Sequence, residues 1–196
     1  MEKRVLFVHG SPRKGGNTDA LVGRLEALLA GLPIRAEHLR CSELTVKPCT
    51  GCGACGRTGE CVLTGDEMPR VYEAADRADA LVVASPVYFL GPPAPLKAVI
   101  DRFQPYWSRI HLLDRPPPRE RVAAVLSTAG APSHSVFTCL HRILDAWFEV
   151  LGARAVANLF LEGADEAGSA ERDSRVESDL PVVAKRLVTH LGLEGP

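Results

Sequence analysis

The chain has 196 residues, 46% of them hydrophobic, with 23 lysines and arginines set against 24 aspartates and glutamates. That length supports one sizeable core and is short for two, so a single domain over 1–196 is expected. The balanced charge, with no basic stripe interleaved with aromatics, argues against nucleic acid or an anionic membrane surface as partners and leaves small molecules or redox proteins.

Met1-Glu-Lys-Arg leads into a short apolar run and not into a signal sequence. The most apolar stretch, 80–96, is cut by Pro86, Pro92, Pro93 and Pro95, which argues against a membrane span. A cytoplasmic protein is therefore expected. In that compartment thiols stay reduced, so the six cysteines point to metal or redox chemistry before structural disulfides.

Along the chain, Arg4 to His9 (RVLFVH) is β-branched and aromatic and stops at Gly10, which predicts a strand. Gly10-Ser-Pro-Arg-Lys-Gly-Gly-Asn-Thr18 follows and runs into a helical pattern over Thr18 to Ala30. The loop is neither a Walker sequence nor the dinucleotide G-x-G-x-x-G. It offers a helix N-terminus, the hydroxyls of Ser11 and Thr18, the Asn17 amide and the Arg13 charge, a set suited to one terminal phosphate and hence to a mononucleotide. The simpler alternative is that Asn17 or Thr18 only caps the helix.

Arg35 to Arg40 reads as the second strand. Residues 41–65 then form a connection too long for an ordinary loop, and such loops are usually functional. It carries Cys49-Thr-Gly-Cys52-Gly-Ala-Cys55-Gly-Arg-Thr-Gly-Glu-Cys61. Cysteines at these spacings, with glycines between them, follow neither a strand nor a helix period and describe a backbone wrapped round a small object. An iron–sulfur cluster is held by thiolates in C-x2-C-x2-C runs with a fourth from nearby, here Cys61. Structural zinc more often takes two separate C-x2-C knuckles. Reduced thiols without metal are the third possibility.

Asp66 to Ala78 reads as a helix and Ala80 to Ala84 as the third strand, ending in Ser85-Pro-Val-Tyr-Phe89, where Pro86, Val87, Tyr88 and Phe89 could support a planar ring. Core or interface packing is the alternative for Tyr88 and Phe89. Ala94 to Arg109 reads as one helix opened by Pro95, with Lys97 and Arg102 on a solvated face and with Phe103, Tyr106 and Trp107 in a dimer contact or in the core. Arg115 to Glu120 is a proline-rich spacer facing solvent. Arg121 to Ser127 is the fourth strand, followed by Thr128, Ala129 and Gly130, small residues that let backbone amides approach a ring edge. A helix over Val136 to Leu151, with Cys139 as a small core residue, a strand over Arg154 to Phe160 and a helix over Ser174 to Leu191 complete the pattern. His9 and His134 lie at strand ends and read as satisfied loop residues. Five strand–helix units predict a doubly wound, five-stranded parallel α/β sheet with helices on both faces, its ligand site beyond the strand carboxyl ends.

Ser11-x-Arg13-x-x-Gly16-Asn17-Thr18, Ser85-Pro-Val-Tyr88, Leu96-Lys-x-x-Ile100-Asp-Arg102 and the cysteine run together resemble the NADPH-dependent FMN reductase group of flavodoxin-like proteins, and within it the iron–sulfur flavoproteins. The resemblance covers residues 4 to about 130 well and the remainder in its element order. It implies a flavodoxin-like fold in which Ser11, Arg13, Gly16, Asn17 and Thr18 hold FMN phosphate, Pro86 to Phe89 and Thr128 to Gly130 line the isoalloxazine, and Cys49, Cys52, Cys55 and Cys61 ligate a [4Fe-4S] cluster. It further implies a homodimer or homotetramer. The expected function is electron transfer between flavin and cluster, joining NAD(P)H or another two-electron partner to a ferredoxin-like carrier or a small-molecule acceptor, with no catalytic side chain required. The alternative is an NAD(P)H-dependent reductase of FMN, quinones or nitro compounds whose cysteine loop holds zinc or nothing.

Overall fold

The computed structural model describes residues 1–193, so the last three positions of the expected 1–196 domain lie outside the described residues. In chain order the elements are β1 (Lys3–His9), α1 (Asn17–Leu29), β2 (Ile34–Arg40), α2 (Cys55–Thr58), α3 (Met68–Arg77), β3 (Ala80–Pro86), α4 (Ala94–Asp101), α5 (Gln104–His111), β4 (Arg121–Thr128), α6 (Phe137–Val150), β5 (Ala153–Leu161), α7 (Ser169–Arg172) and α8 (Ser174–His190). The strands form one parallel sheet in the order β2-β1-β3-β4-β5. This is the flavodoxin-like arrangement expected from the strand–helix alternation.

β3 sits at the centre and is buried along ALVVAS, which is why its sequence is a continuous apolar run and not an alternating one. Alternate residues feed two cores. Val5, Phe7 and Val82 face α1 and α8 on one side, while Leu6, Val8, Leu81 and Val83 face α3, α4, α5 and α6 on the other. Each fully buried Val, Leu or Phe contributes about 1.5–3 kcal/mol relative to exposure.

The single helix expected over Ala94 to Arg109 is two, α4 and α5, broken at Arg102 and Phe103. Pro105 stands in the first turn of α5, where its missing N–H costs nothing; in a continuous helix its ring would clash with the Asp101 carbonyl. Arg102 does not lie on a solvated face. It is 1% exposed, whereas Lys97 does face solvent, 2.6 Å from Asp101. Phe103 and Tyr106 are core residues, and Trp107 is partly exposed. Cys139 is exposed and not a core residue. The buried stripe of α6 is Phe137, Leu140, Leu144, Trp147 and Phe148, and a residue two beyond Phe137 is turned away from it. The long connection after β2 is not structureless: Cys41–Glu43 forms a 3-10 turn and α2 a single helical turn. Among the described residues no helix is long and apolar enough to cross a membrane.

Candidate functional site

Because β1 connects to one side of the sheet and β3 to the other, a crevice opens between their carboxyl ends. Gly10 leaves β1 there with its N–H on Ala84 O at 2.8 Å. A Cβ at Gly10 would lie 2.6 Å from Leu96 Cδ2 and 3.0 Å from Ser85 Oγ, so glycine is what lets the loop pass so close to β3 and α4. Buried Ser11 turns the loop, its Oγ accepting the Arg13 N–H at 3.1 Å, and the Arg13 side chain is exposed.

Gly16 is the N-cap of α1, with no side-chain cap, so neither Asn17 nor Thr18 plays the capping role considered as the simpler alternative. In the first turn the Asp19 N–H is taken by Gly16 O at 2.9 Å, while the N–H groups of Asn17 and Thr18 have no intrahelical acceptor and, with the positive end of the helix dipole, form an anion site. The Asn17 side chain is engaged elsewhere. Its Nδ2 donates to Ala164 O at 3.0 Å and Glu166 O at 2.8 Å, and its Oδ1 accepts from Ala170 N at 3.3 Å. Asn17 therefore ties the loop to the segment after β5 and leaves its backbone N–H for an anion.

A polar chain runs beneath this loop. Glu26 meets His38 at 3.1 Å, His38 meets His9 at 3.0 Å, and His9 meets Asp19 at 2.8 Å; Asp19 also accepts from Gly15 N at 2.8 Å and pairs with Arg40 at 3.0 Å. His9 is thus the buried centre of a network and not a lone loop residue. Burial lowers its pKa, against the opposing pull of Asp19. Burial would raise Asp19, but hydrogen bonds from Arg40, His9 and Gly15 hold it below the usual carboxylate value, so an anion beside the loop meets a charge already offset by Arg40. His134 is exposed and meets Glu162 at 2.7 Å.

On the other side of the crevice, Pro86 and Val87 are half-buried; Pro86 registers with Thr128 of β4, and Val87 N–H donates to Thr128 O at 2.9 Å. Tyr88 and Gly91 exchange two backbone hydrogen bonds, of 2.8 and 3.0 Å, closing a two-residue turn. Its central residues, Phe89 and Leu90, both have positive φ, a left-handed pair usually given to Asn-Gly. Such strain at non-glycine residues costs on the order of 1–3 kcal/mol each and clusters at ligand clamps and switches. Phe89 is fully exposed at the tip. Thr128 and Ala129 are buried, Ala129 N–H is held by Leu161 O at 2.9 Å, and Gly130 beyond them is exposed.

The four cysteines of the long loop line one cavity of about 250 Å³. Gly51 and Gly53 flank Cys52, both with positive φ, conformations that turn the chain sharply on either side of a thiol. The loop folds back on α5, with Ser108 Oγ donating to buried Cys55 Sγ at 3.5 Å and Arg109 Nε donating to Gly59 O at 2.8 Å. Its feet are pinned together. Lys47 N donates to Asp66 at 3.1 Å, Thr45 N to Glu67 at 2.7 Å, and Arg102 donates to Lys47 O at 2.8 Å, to Leu63 O at 3.4 Å and to the Asp66 carboxylate. Among the described residues, no three His, Cys, Asp or Glu side chains converge as a group that could hold a single metal ion. Four thiolates are the donor set of an iron–sulfur cluster and of structural zinc alike.

Arg102 and Asp66 are the residues of this region that sequence reasoning assigned no part in the site. The available signal was position: Arg102 stands three residues after buried Val99, on the stripe shared by Leu96 and Phe103, where a solvated arginine is out of place.

The family described as NADPH-dependent FMN reductase matches residues 3–166. An iron–sulfur flavoprotein of Archaeoglobus fulgidus is 34% identical over 74% of this chain and 63% of its own length, so the chain spans less than two thirds of that relative. One from Methanosarcina thermophila is 30% identical over 97% of this chain and 96% of its own length. Among solved structures, an NADH:FMN oxidoreductase in its apo form superimposes with a TM-score of 0.68 at 21% identity, covering 99% of this chain and 91% of that one, a likeness of fold.

Proposed function

We propose, from the premise that this chain belongs to the NADPH-dependent FMN reductase family and is a flavin-dependent oxidoreductase, that it binds FMN at the β1–β3 crevice and a [4Fe-4S] cluster in the cysteine cavity and couples the two. Bound FMN exchanges electrons in pairs with a hydride partner or singly with another centre, and a cluster stores one electron at a time. NAD(P)H is the proposed two-electron partner, and a ferredoxin-like carrier or a small molecule is the one-electron partner.

In this reading the chain's own residues position and tune. The amides of the α1 first turn, the Ser11 hydroxyl and the Arg13 guanidinium hold the phosphate, while Asn17 holds the loop that carries them. Gly16 and Thr18 complete the loop. Pro86 to Phe89 and Thr128 to Gly130 support the ring. Cys49, Cys52, Cys55 and Cys61 ligate the cluster, and Ser108 donates to one of those sulfurs. The strained, exposed Phe89–Leu90 tip supports assembly as a homodimer or homotetramer, in which that apolar surface is covered.

The observation that carries the coupling is the placement of α4. It starts just beyond the ring-side loop and, after only eight residues, hands the chain to Arg102 on the wall of the cysteine cavity. A helix advances about 1.5 Å per residue, so this short span supports a short path between the two proposed sites. The test is anaerobic reconstitution with FMN, ferrous iron and sulfide, followed by iron and sulfide assays and identification of the released flavin by mass. FMN with about four irons per chain is expected. Cys52→Ser should lose the iron and the one-electron kinetics and keep FMN. Recovery of FAD, or a Cys52→Ser protein with its iron and kinetics intact, refutes the assignment.

A further inference from the structure

Arg102 is buried to 1% exposure, and its side chain is the one cationic group lining the cysteine cavity among the described residues. Its two terminal nitrogens are used: Nη1 on Lys47 O and Asp66, Nη2 on Leu63 O. Its Nε is buried with no hydrogen-bond partner. A buried N–H left unpaired costs about 1–3 kcal/mol, and an orphan of this kind in an otherwise satisfied clamp calls for an acceptor. Asp66, its counter-ion, is fully buried beside it and is itself held by the amides of Lys47 and Met68, at 3.1 and 3.2 Å. The backbone of Arg102 is fixed as well, through Tyr72 Oη on its carbonyl.

We infer that Arg102 sets the reduction potential of whatever anionic sulfur centre the cavity holds, by presenting a fixed cation and a free Nε–H to it while its fork clamps both feet of the loop, with Asp66 partly offsetting that charge. The inference rests on the cluster reading above. Adding one electron makes the site one charge more negative, with no bond made or broken. A nearby cation and an N–H donor to sulfur stabilise that added charge and raise the potential. Arginine suits the position and lysine does not, because the rigid guanidinium satisfies two loop carbonyls and a carboxylate while directing a further N–H elsewhere.

The two members of the pair should shift the potential in opposite directions. Arg102→Gln removes the cation and should move it negative. Arg102→Lys keeps the charge without the Nε–H and should move it the same way by less. Asp66→Asn leaves the cation uncompensated and should move it positive. A role confined to holding the loop would lower iron retention and melting temperature in all three but leave the potential of the loaded fraction unchanged.

The experiment is an EPR-monitored redox titration of the FMN-containing protein reconstituted anaerobically with ferrous iron and sulfide, with iron and sulfide counted in each sample. Arg102→Lys and Asp66→Asn decide the matter if Arg102→Gln fails to fold. Opposite shifts for Arg102→Lys and Asp66→Asn support the inference. Equal potentials, or shifts of one sign in both, overturn it while the cluster reading stands. A wild-type protein that takes up no iron and sulfide overturns the cluster reading and this inference with it.

Discussion

Asn17→Ala separates two roles for one side chain. Were the amide a direct phosphate ligand, its loss would remove a hydrogen bond to a charged group, about 1.5–3 kcal/mol, and weaken FMN binding roughly ten- to 150-fold. The structure assigns the amide to three backbone partners, Ala164 O, Glu166 O and Ala170 N. At about 0.5–1.5 kcal/mol for each such bond, and with the site partly exposed, the substitution should cost about 2 kcal/mol of stability in the flavin-free protein. That corresponds to a melting temperature lower by roughly 4–8 °C for a chain of this size. The backbone N–H at residue 17 survives the change, so FMN affinity should fall by less than about tenfold and by less than in Arg13→Ala. Urea unfolding of the flavin-free variants and fluorescence titration with FMN read the two quantities separately. A flavin-free stability within about 0.5 kcal/mol of wild type, together with a collapse of affinity, would refute the reasoning.

Gly10→Ala places a methyl group 2.6 Å from Leu96 Cδ2 and should cost about 1–3 kcal/mol by overpacking, read as a lower urea midpoint with an unchanged slope. Burial lowers the His9 pKa, so below about pH 6.5 the unfolded chain binds a proton that the folded one resists. Stability should therefore be full above that value and fall as pH drops from it toward the folded pKa; melting curves of His9→Gln should show a flatter profile there, and an unchanged slope would count against the burial argument. Burial pushes the Cys41 thiol up to about 12, so at pH 8 its alkylation by iodoacetamide should be about a thousandfold slower in the folded, metal-free protein than in urea, while exposed Cys139 reacts in both. Mass spectrometry of tryptic peptides checks this, and equal labelling of Cys41 in the two conditions would contradict its burial.

The order of strands and helices was legible because period is a local property. RVLFVH, ALVVA and RVAAVLS are apolar over strand lengths, and TDALVGRLEALLA repeats at the helical period, whatever the rest of the chain does. The compact cysteine run was legible for the same reason, since its ligand candidates lie within one loop. What needed the tertiary structure were contacts between residues far apart in sequence. Asn17 reads as a phosphate ligand from its neighbours, and only the return of the chain after β5, 147 residues on, gives its amide other partners. Arg102 reads as a solvated charge on a helix until Asp66, 36 residues earlier, is folded against it and the helix breaks before Pro105. A charged side chain can be buried only where a distant counter-ion and carbonyls meet it, and neither composition nor period records that meeting.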